Sequence, residues 1–265
     1  MTALLLSPLA TLSRRRFQLT TRTPRELLVP LLTPIMFALV IAPALKAALH
    51  TPASYESYVA IVPIGLLIPL NTMFAGLGVI VDRESGAQRE LLAAPVPRGL
   101  IVLGNLLVAL AVTGLQVGVL IAVAVARGIH FNASSTGVVW FLAAAGLFTV
   151  GMYGAAEILA NRVPKQEEYI ARVPAIAILP WFLAGSLFPI TAVPIGLTWV
   201  AKFLPLTHGL ALMRYGLLGD STGLQNIWGM TDPSGMAALS LGVLAVFALV
   251  LGVVSVRVFT RAALR

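Results

Sequence analysis

Six stretches of this 265-residue chain, at about 27–45, 57–81, 99–126, 137–160, 173–199 and 234–256, are apolar and carry no charge in their middles. A helix needs about 20 apolar residues to cross the hydrocarbon of a bilayer. Backbone amides have no water to bond there, so each run must satisfy its own N–H and C=O groups, which a helix does. The expectation is an all-α integral membrane protein with six transmembrane helices. Composition agrees: 58% of residues are hydrophobic and 11% charged, whereas about a quarter of a soluble domain is charged.

The formal net charge of +8 suggests nucleic acid until the charges are placed. They cluster between the apolar runs, which is a topology signal, and no nucleic-acid partner is expected. One set of connections holds Arg14, Arg15, Arg16, Arg22 and Arg25, then Arg83, Arg89 and Arg98, then Arg162, Lys165 and Arg172, then Arg257, Arg261 and Arg265. The other holds Lys46, Arg127, Lys202 and Arg214. Fourteen against four puts both termini in the cytoplasm. Leu4–Leu6 precede Arg14–Arg16, the reverse of a secretory signal. Residues 1–26 read as an amphipathic basic segment on the anionic inner surface, or else as a basic tail.

Parity shapes the fifth run. Loop 161–172 is basic and inside; segment 220–233 carries Asp220 and Asp232 and no basic residue, so it is outside. One span at 173–199 and a re-entrant element at about 200–218 meet that constraint. Such an element is tolerated only where protein or water covers it.

Between the second and third runs lies a charged island, Asp82 to Arg98. Ser85-x-x-Gln88 has the form of a capping box, and Pro95 and Pro97 would end the helix it starts. A helix over about 85–94 is therefore expected on the membrane surface, with Leu91 and Leu92 available for contact. A plain connector needs no such helix; one that receives a push from a soluble partner does.

Chemical signatures are few. There is no Gly-Lys dipeptide and so no Walker A loop, and no H-E-x-x-H. Cysteine is absent, and His50, His130 and His208 are too scattered for a metal site, so none is expected. No catalytic residue is assigned. His208 reads as a structural hydrogen-bonding residue with a lesser case for function. Glu157 is the one acidic residue inside an apolar run, read as a structural pair, with Arg162 or a basic residue of another segment, in preference to a proton relay. Gly114-x-x-x-Gly118 reads as close helix packing within the chain. Asn132-Ala133-Ser134 matches a glycosylation sequon, a pattern common by chance. Asn71, Thr72 and Phe74, with Trp181, Phe182 and Ser186, could line a path or serve as ordinary packing. The bend at Leu187-Phe188-Pro189 could narrow its outer end.

Asp82-Arg83-Glu84-Ser85-Gly86, then Arg89-Glu90-Leu91-Leu92 and Pro95-Val96-Pro97-Arg98, resemble the loop after the second span in permease subunits of type-2 ABC exporters. That group contains daunorubicin-resistance and nodulation-factor export permeases. Leu204-Pro205-Leu206-Thr207-His208-Gly209 with Met213-Arg214 resembles a second motif of the same family, before the last span. The resemblance implies a transmembrane domain over 27–265 in the cell membrane and a dimer of permeases, homo- or hetero-. It also implies two separate ATP-binding subunits. It implies no cofactor in this chain, with ATP and Mg held by the partner. Coupling to that partner falls to Asp82, Arg83, Glu84, Arg89, Glu90, Leu91 and Leu92. Position in the family favours Asn71, Phe74, Phe182 and Ser186 for the substrate path, and Leu187 and Phe188 for an outer gate. Family substrates include drugs, lipids and glycans, so efflux and antibiotic resistance belong to the expectation. Low charge favours an amphipathic or hydrophobic cargo. The competing readings are a membrane-embedded enzyme acting on lipid, or a channel or scaffold subunit without ATP coupling.

Overall fold

The computed structural model describes residues 2–49 and 58–262. All regular structure among them is helical: α1 (Thr2–Arg22), α2 (Pro24–Met36), a π-helical turn (Phe37–Ile41), α3 (Ala42–Leu49), α4 (Val62–Glu84), α5 (Ala87–Ala93), α6 (Arg98–Ala126), α7 (Ser135–Arg162), α8 (Gln166–Ala177), α9 (Leu179–Leu183), a 3-10 turn (Ile190–Ala192), α10 (Ile195–Phe203), α11 (Pro205–Leu218), α12 (Thr222–Trp228) and α13 (Pro233–Ala262). The expected all-α membrane architecture is present. Four helices are long and apolar enough to cross a bilayer, beginning at Tyr58, Arg98, Ser135 and Pro233. Residues 24–49 are helical throughout, with a π turn inside them, in keeping with the expected run at 27–45, whereas the expected run at 173–199 is not one continuous helix.

Proline explains both the π turn and the break in the fifth run. Pro30 and Pro34 lie inside α2, just before the π turn. Each proline removes an amide donor and crowds the carbonyl four residues back, and π turns relieve such strain. Arg127, at the end of α6, donates its guanidinium to the Ala38 carbonyl inside that turn. The fifth run starts earlier than expected, at Gln166, and breaks at Ile178, two residues before Pro180. The element expected at about 200–218 starts earlier in the structure. Residues Ile195–Phe203 and Pro205–Leu218 form a pair bent by 78°. Leu204 sits in extended backbone, the conformation a following proline favours.

Helix α7 is the axis of the bundle, packed against α13, α4, α11 and α6. Small residues allow the close crossings. A Cβ built on Gly154 would lie 2.8 Å from the Leu251 backbone of α13, and Gly137 and Gly216 face one another's carbonyls where α7 meets α11. Gly114 and Gly118, expected to pack within the chain, face open space. The reason is helical phase: Gln116, Val117 and Leu120 are the inward residues of that part of α6. Ser134 does not need a sequon to explain it; its hydroxyl accepts the Gly137 amide at 3.0 Å and caps α7.

The capping-box expectation is also corrected. Ser85 ends α4 instead of starting α5: its amide donates to the Val81 carbonyl at 2.9 Å and its hydroxyl to the Asp82 carbonyl at 3.3 Å. Gly86, at φ 81°, makes the turn into α5 with no side-chain cap. That left-handed conformation is one a glycine adopts without the cost a Cβ imposes.

Candidate functional site

The charged island is a short helix standing on a set of anchors to other helices. Asp82 is buried at the end of α4. Its carboxylate accepts Arg15 of α1 at 2.9 and 3.3 Å, with Arg16 at 3.9 Å. Arg83 donates to the Ala160 carbonyl at 2.8 Å, the Val163 carbonyl at 2.7 Å and the Pro164 carbonyl at 3.1 Å. Those carbonyls close α7, where helical C=O groups lack partners, and a cation also suits the negative end of the helix dipole. Glu84 accepts Gln166 at the start of α8 at 2.9 Å. At the far side of the island, Arg98 donates to the Thr260 carbonyl near the end of α13 at 3.2 Å.

Beyond these anchors, α5 has two faces. Leu91 and Leu92 pack, partly buried, against a satellite core of Ile101, Val102, Ala109, Tyr153 and Phe259, joined by Leu12 of α1. Arg89, Glu90, Ala93 and Ala94 are exposed. The seven residues read as a coupling group therefore divide: Asp82, Arg83, Glu84, Leu91 and Leu92 have partners within the chain, while Arg89 and Glu90 present the free face.

Arg16 is the pivot of a polar cluster at this end of the bundle. It is 7% exposed and donates to the Ala75 carbonyl of α4 at 3.0 Å. It fits because residue 78 is glycine: a Cβ there would stand inside the guanidinium. Glu157 is fully buried and accepts the Tyr153 hydroxyl at 2.7 Å and the Asn161 amide at 3.1 Å. Arg16 acts on it electrostatically. The hydrogen-bond partners recorded for Glu157 are thus neighbours on its own helix, and the expectation of Arg162 is corrected. Tyr169 of α8 donates to the Met73 carbonyl at 2.8 Å.

Of the residues read as a substrate path, Asn71 and Phe74 share a cleft with Arg16, Thr20, Asn105 and Tyr153. Asn71 donates to the Thr113 hydroxyl of α6 at 2.5 Å. The cleft holds only about 20 Å³, room for a water molecule and far less than a ligand pocket of several hundred Å³. Phe182 is 59% exposed and meets Trp181 edge-on, with ring centroids 4.9 Å apart. Ser186 is buried, its hydroxyl donating to the Trp181 carbonyl at 2.6 Å.

The turn at Gly185 and Ser186 rests on Arg214, which the sequence marks both as a topology charge and as part of the second family motif. Buried Arg214 of α11 donates to the Gly185 carbonyl at 2.9 Å and the Ser186 carbonyl at 2.8 Å. Its guanidinium stacks 3.5 Å over the Tyr58 ring, and the Tyr58 hydroxyl bonds the same Gly185 carbonyl at 2.7 Å. Leu187, half-buried, and Phe188, 52% exposed, follow directly. His208 bonds the Ser240 hydroxyl at 3.2 Å and the Lys202 carbonyl at 2.9 Å, bridging the α10–α11 bend to α13. Among the described residues there is no group of three or more His, Asp or Glu that could hold a metal ion.

The family model described as ABC-2 type transporter matches residues 8–218, a span containing most of α1, the charged island and the bent pair. Nodulation protein J of Rhizobium leguminosarum bv. viciae is 29% identical over 99 residues. That match covers 37% of this chain and 34% of the nodulation protein, so the aligned part spans about a third of that relative.

Proposed function

Because the chain belongs to the ABC-2 type transporter family, we propose that it is the membrane-spanning permease subunit of an ATP-driven exporter. It pairs with a second permease and with two separate ATP-binding subunits, which hold ATP and Mg. It sits in the cell membrane with both termini in the cytoplasm. Its cargo is an amphipathic or hydrophobic compound, such as a drug, lipid or glycolipid.

The observation that carries this reading is the construction of α5. A short helix with Arg89 and Glu90 outward stands on anchors to α1, α7 and α8. Force applied to its free face reaches several helices of the bundle at once. The cleft beside Asn71 and Phe74 is too small to hold a ligand by itself, which supports a substrate path between two permease chains. In that path Asn71, Phe74 and the exposed Phe182 face the cargo. Leu187 and Phe188 narrow its outer end, and Ser186 shapes the turn that carries them.

Reversing Arg89 and Glu90 (Arg89→Glu with Glu90→Lys) tests the coupling role. The expected result is normal thermal stability with reduced recovery of the ATP-binding subunit in a pull-down, and reduced export and ATPase activity of the complex. Undiminished recovery and export would sink the coupling role of α5. Leu91 and Leu92 make a less clean test, because they also pack against their own chain. The chain has no cysteine, so Ser221→Cys reports orientation: an impermeant thiol reagent labels it from outside intact cells, and protection there would reverse the topology.

A further inference from the structure

An apolar slot of about 190 Å³ lies between α4, α7, α8, α13 and the α10–α11 joint. Pro69, Met152, Ile176, Pro180, Pro205 and Phe247 are among its walls, and no lining side chain carries a nitrogen or oxygen. It is distinct from the cleft at Asn71. Two positions along a helix are about 200° of rotation, so Pro69 and Asn71 stand on opposite sides of α4. We propose that this slot binds a single acyl chain of a membrane lipid.

Three observations select that occupant. Volume comes first: apolar cavities of about 150 Å³ stay dry and take up small apolar molecules, so water does not fill this one. Donors come second. Pro69, Pro180 and Pro205 lack a backbone N–H, so the wall is poorest in donors where the helices break, and a polar ligand would find nothing to bond. Access comes third: the walls are membrane helices, whose surroundings are acyl chains. The slot also lies under a joint. Ile176 and Pro180 belong to the broken fifth run, and Pro205 begins the second arm of the 78° bend. An acyl chain there props the bent pair against α8 and α9, making the re-entrant element responsive to the lipid around it.

The test uses the full chain, with its partner subunits, in nanodiscs of phosphatidylcholine doped with a phosphatidylcholine bearing a diazirine in mid-chain. After photolysis, peptide mapping is expected to concentrate label on Met152, Ile176 and Leu206 over the outward residues Leu115 and Leu249. Ala155→Leu fills the slot and denies burial to about two methylenes, so a roughly tenfold drop in labelling at Met152 is expected, while Leu249→Phe on the outer face leaves it unchanged. Even labelling of slot and outward residues overturns the proposal, as does full labelling in Ala155→Leu. Should that variant fail to fold, the wild-type map decides alone. A chain-to-chain disulfide from Ile176→Cys in this cysteine-free background would show a second copy in the slot and also overturn it.

Discussion

Replacing Gly78 by alanine gives the sharpest check on the buried arginine at the base of α4. The new methyl group would occupy the position of the Arg16 guanidinium. Arg16 must then leave, breaking its bond to the Ala75 carbonyl and moving from Asp82. A hydrogen bond to a charged group contributes about 1.5–3 kcal/mol. Alanine in a helix interior is favoured over glycine by about 1 kcal/mol. Asp82 retains Arg15 at 2.9 Å, so the carboxylate is not stranded and no further loss is added. The net expectation is a loss of about 0.5–2 kcal/mol, or roughly 1–4 °C in thermal midpoint for a chain of this size. Gly118→Ala is the matched control, since nothing lies within 4 Å of its Cβ position, and its midpoint should hold or rise. The assay is thermal unfolding of both variants purified in one detergent. A double-mutant cycle with Arg16→Ala completes it: without the guanidinium, the Gly78→Ala penalty should vanish, a strong non-additivity between touching residues. A Gly78→Ala midpoint at or above that of Gly118→Ala would refute the placement of Arg16 in that slot.

Two other outcomes are expected. Arg214→Lys keeps the charge but cannot reproduce the fork that bonds Gly185 and Ser186, so a cysteine at Leu187 should react faster with a thiol reagent in that background; an unchanged rate would remove Arg214 as the clamp of the outer turn. Asp232 caps α13 by accepting the Ser234 amide and hydroxyl and the Gly235 amide, and the Ser234 hydroxyl foremost holds its carboxyl below the usual carboxylate range. A depressed carboxyl stabilises above its unfolded value and loses that contribution as pH falls through its folded one. Protection of the amides in the first turn of α13, corrected for the intrinsic pH dependence of exchange, should therefore hold from neutral pH to the ordinary Asp range and fall as pH drops from there through the lowered folded value, and protection that does not change across that window would contradict the cap.

The fold class was legible because spanning runs are contiguous in sequence, and the charged island because charge is rare around it. Proline positions foretold that residues 173–218 could not be one straight element. The anchors were not legible. Arg16, Arg83, Arg98, Arg127 and Arg214 all donate to backbone carbonyls, and a carbonyl carries no residue type to recognise from afar. Glycine spacing misled for a related reason. Gly114-x-x-x-Gly118 has the right interval on the wrong side of α6, while Gly137 and Gly216 meet across two helices with no shared interval. That the leucines of α5 pack against their own chain was not legible either, because it depends on where Phe259 returns.

The Arg98 anchor sets an order on biosynthesis. Its acceptor lies 162 positions downstream, while the acceptors of Arg83 lie about half that distance away. During synthesis, which supplies the N-terminal residues first, Arg83 can dock when α7 is in place. Arg98 must wait until Thr260 has left the ribosome and α13 has been inserted. Until then one end of the charged island is latched and the other is open, so a chain interrupted before α13 carries a half-fastened α5.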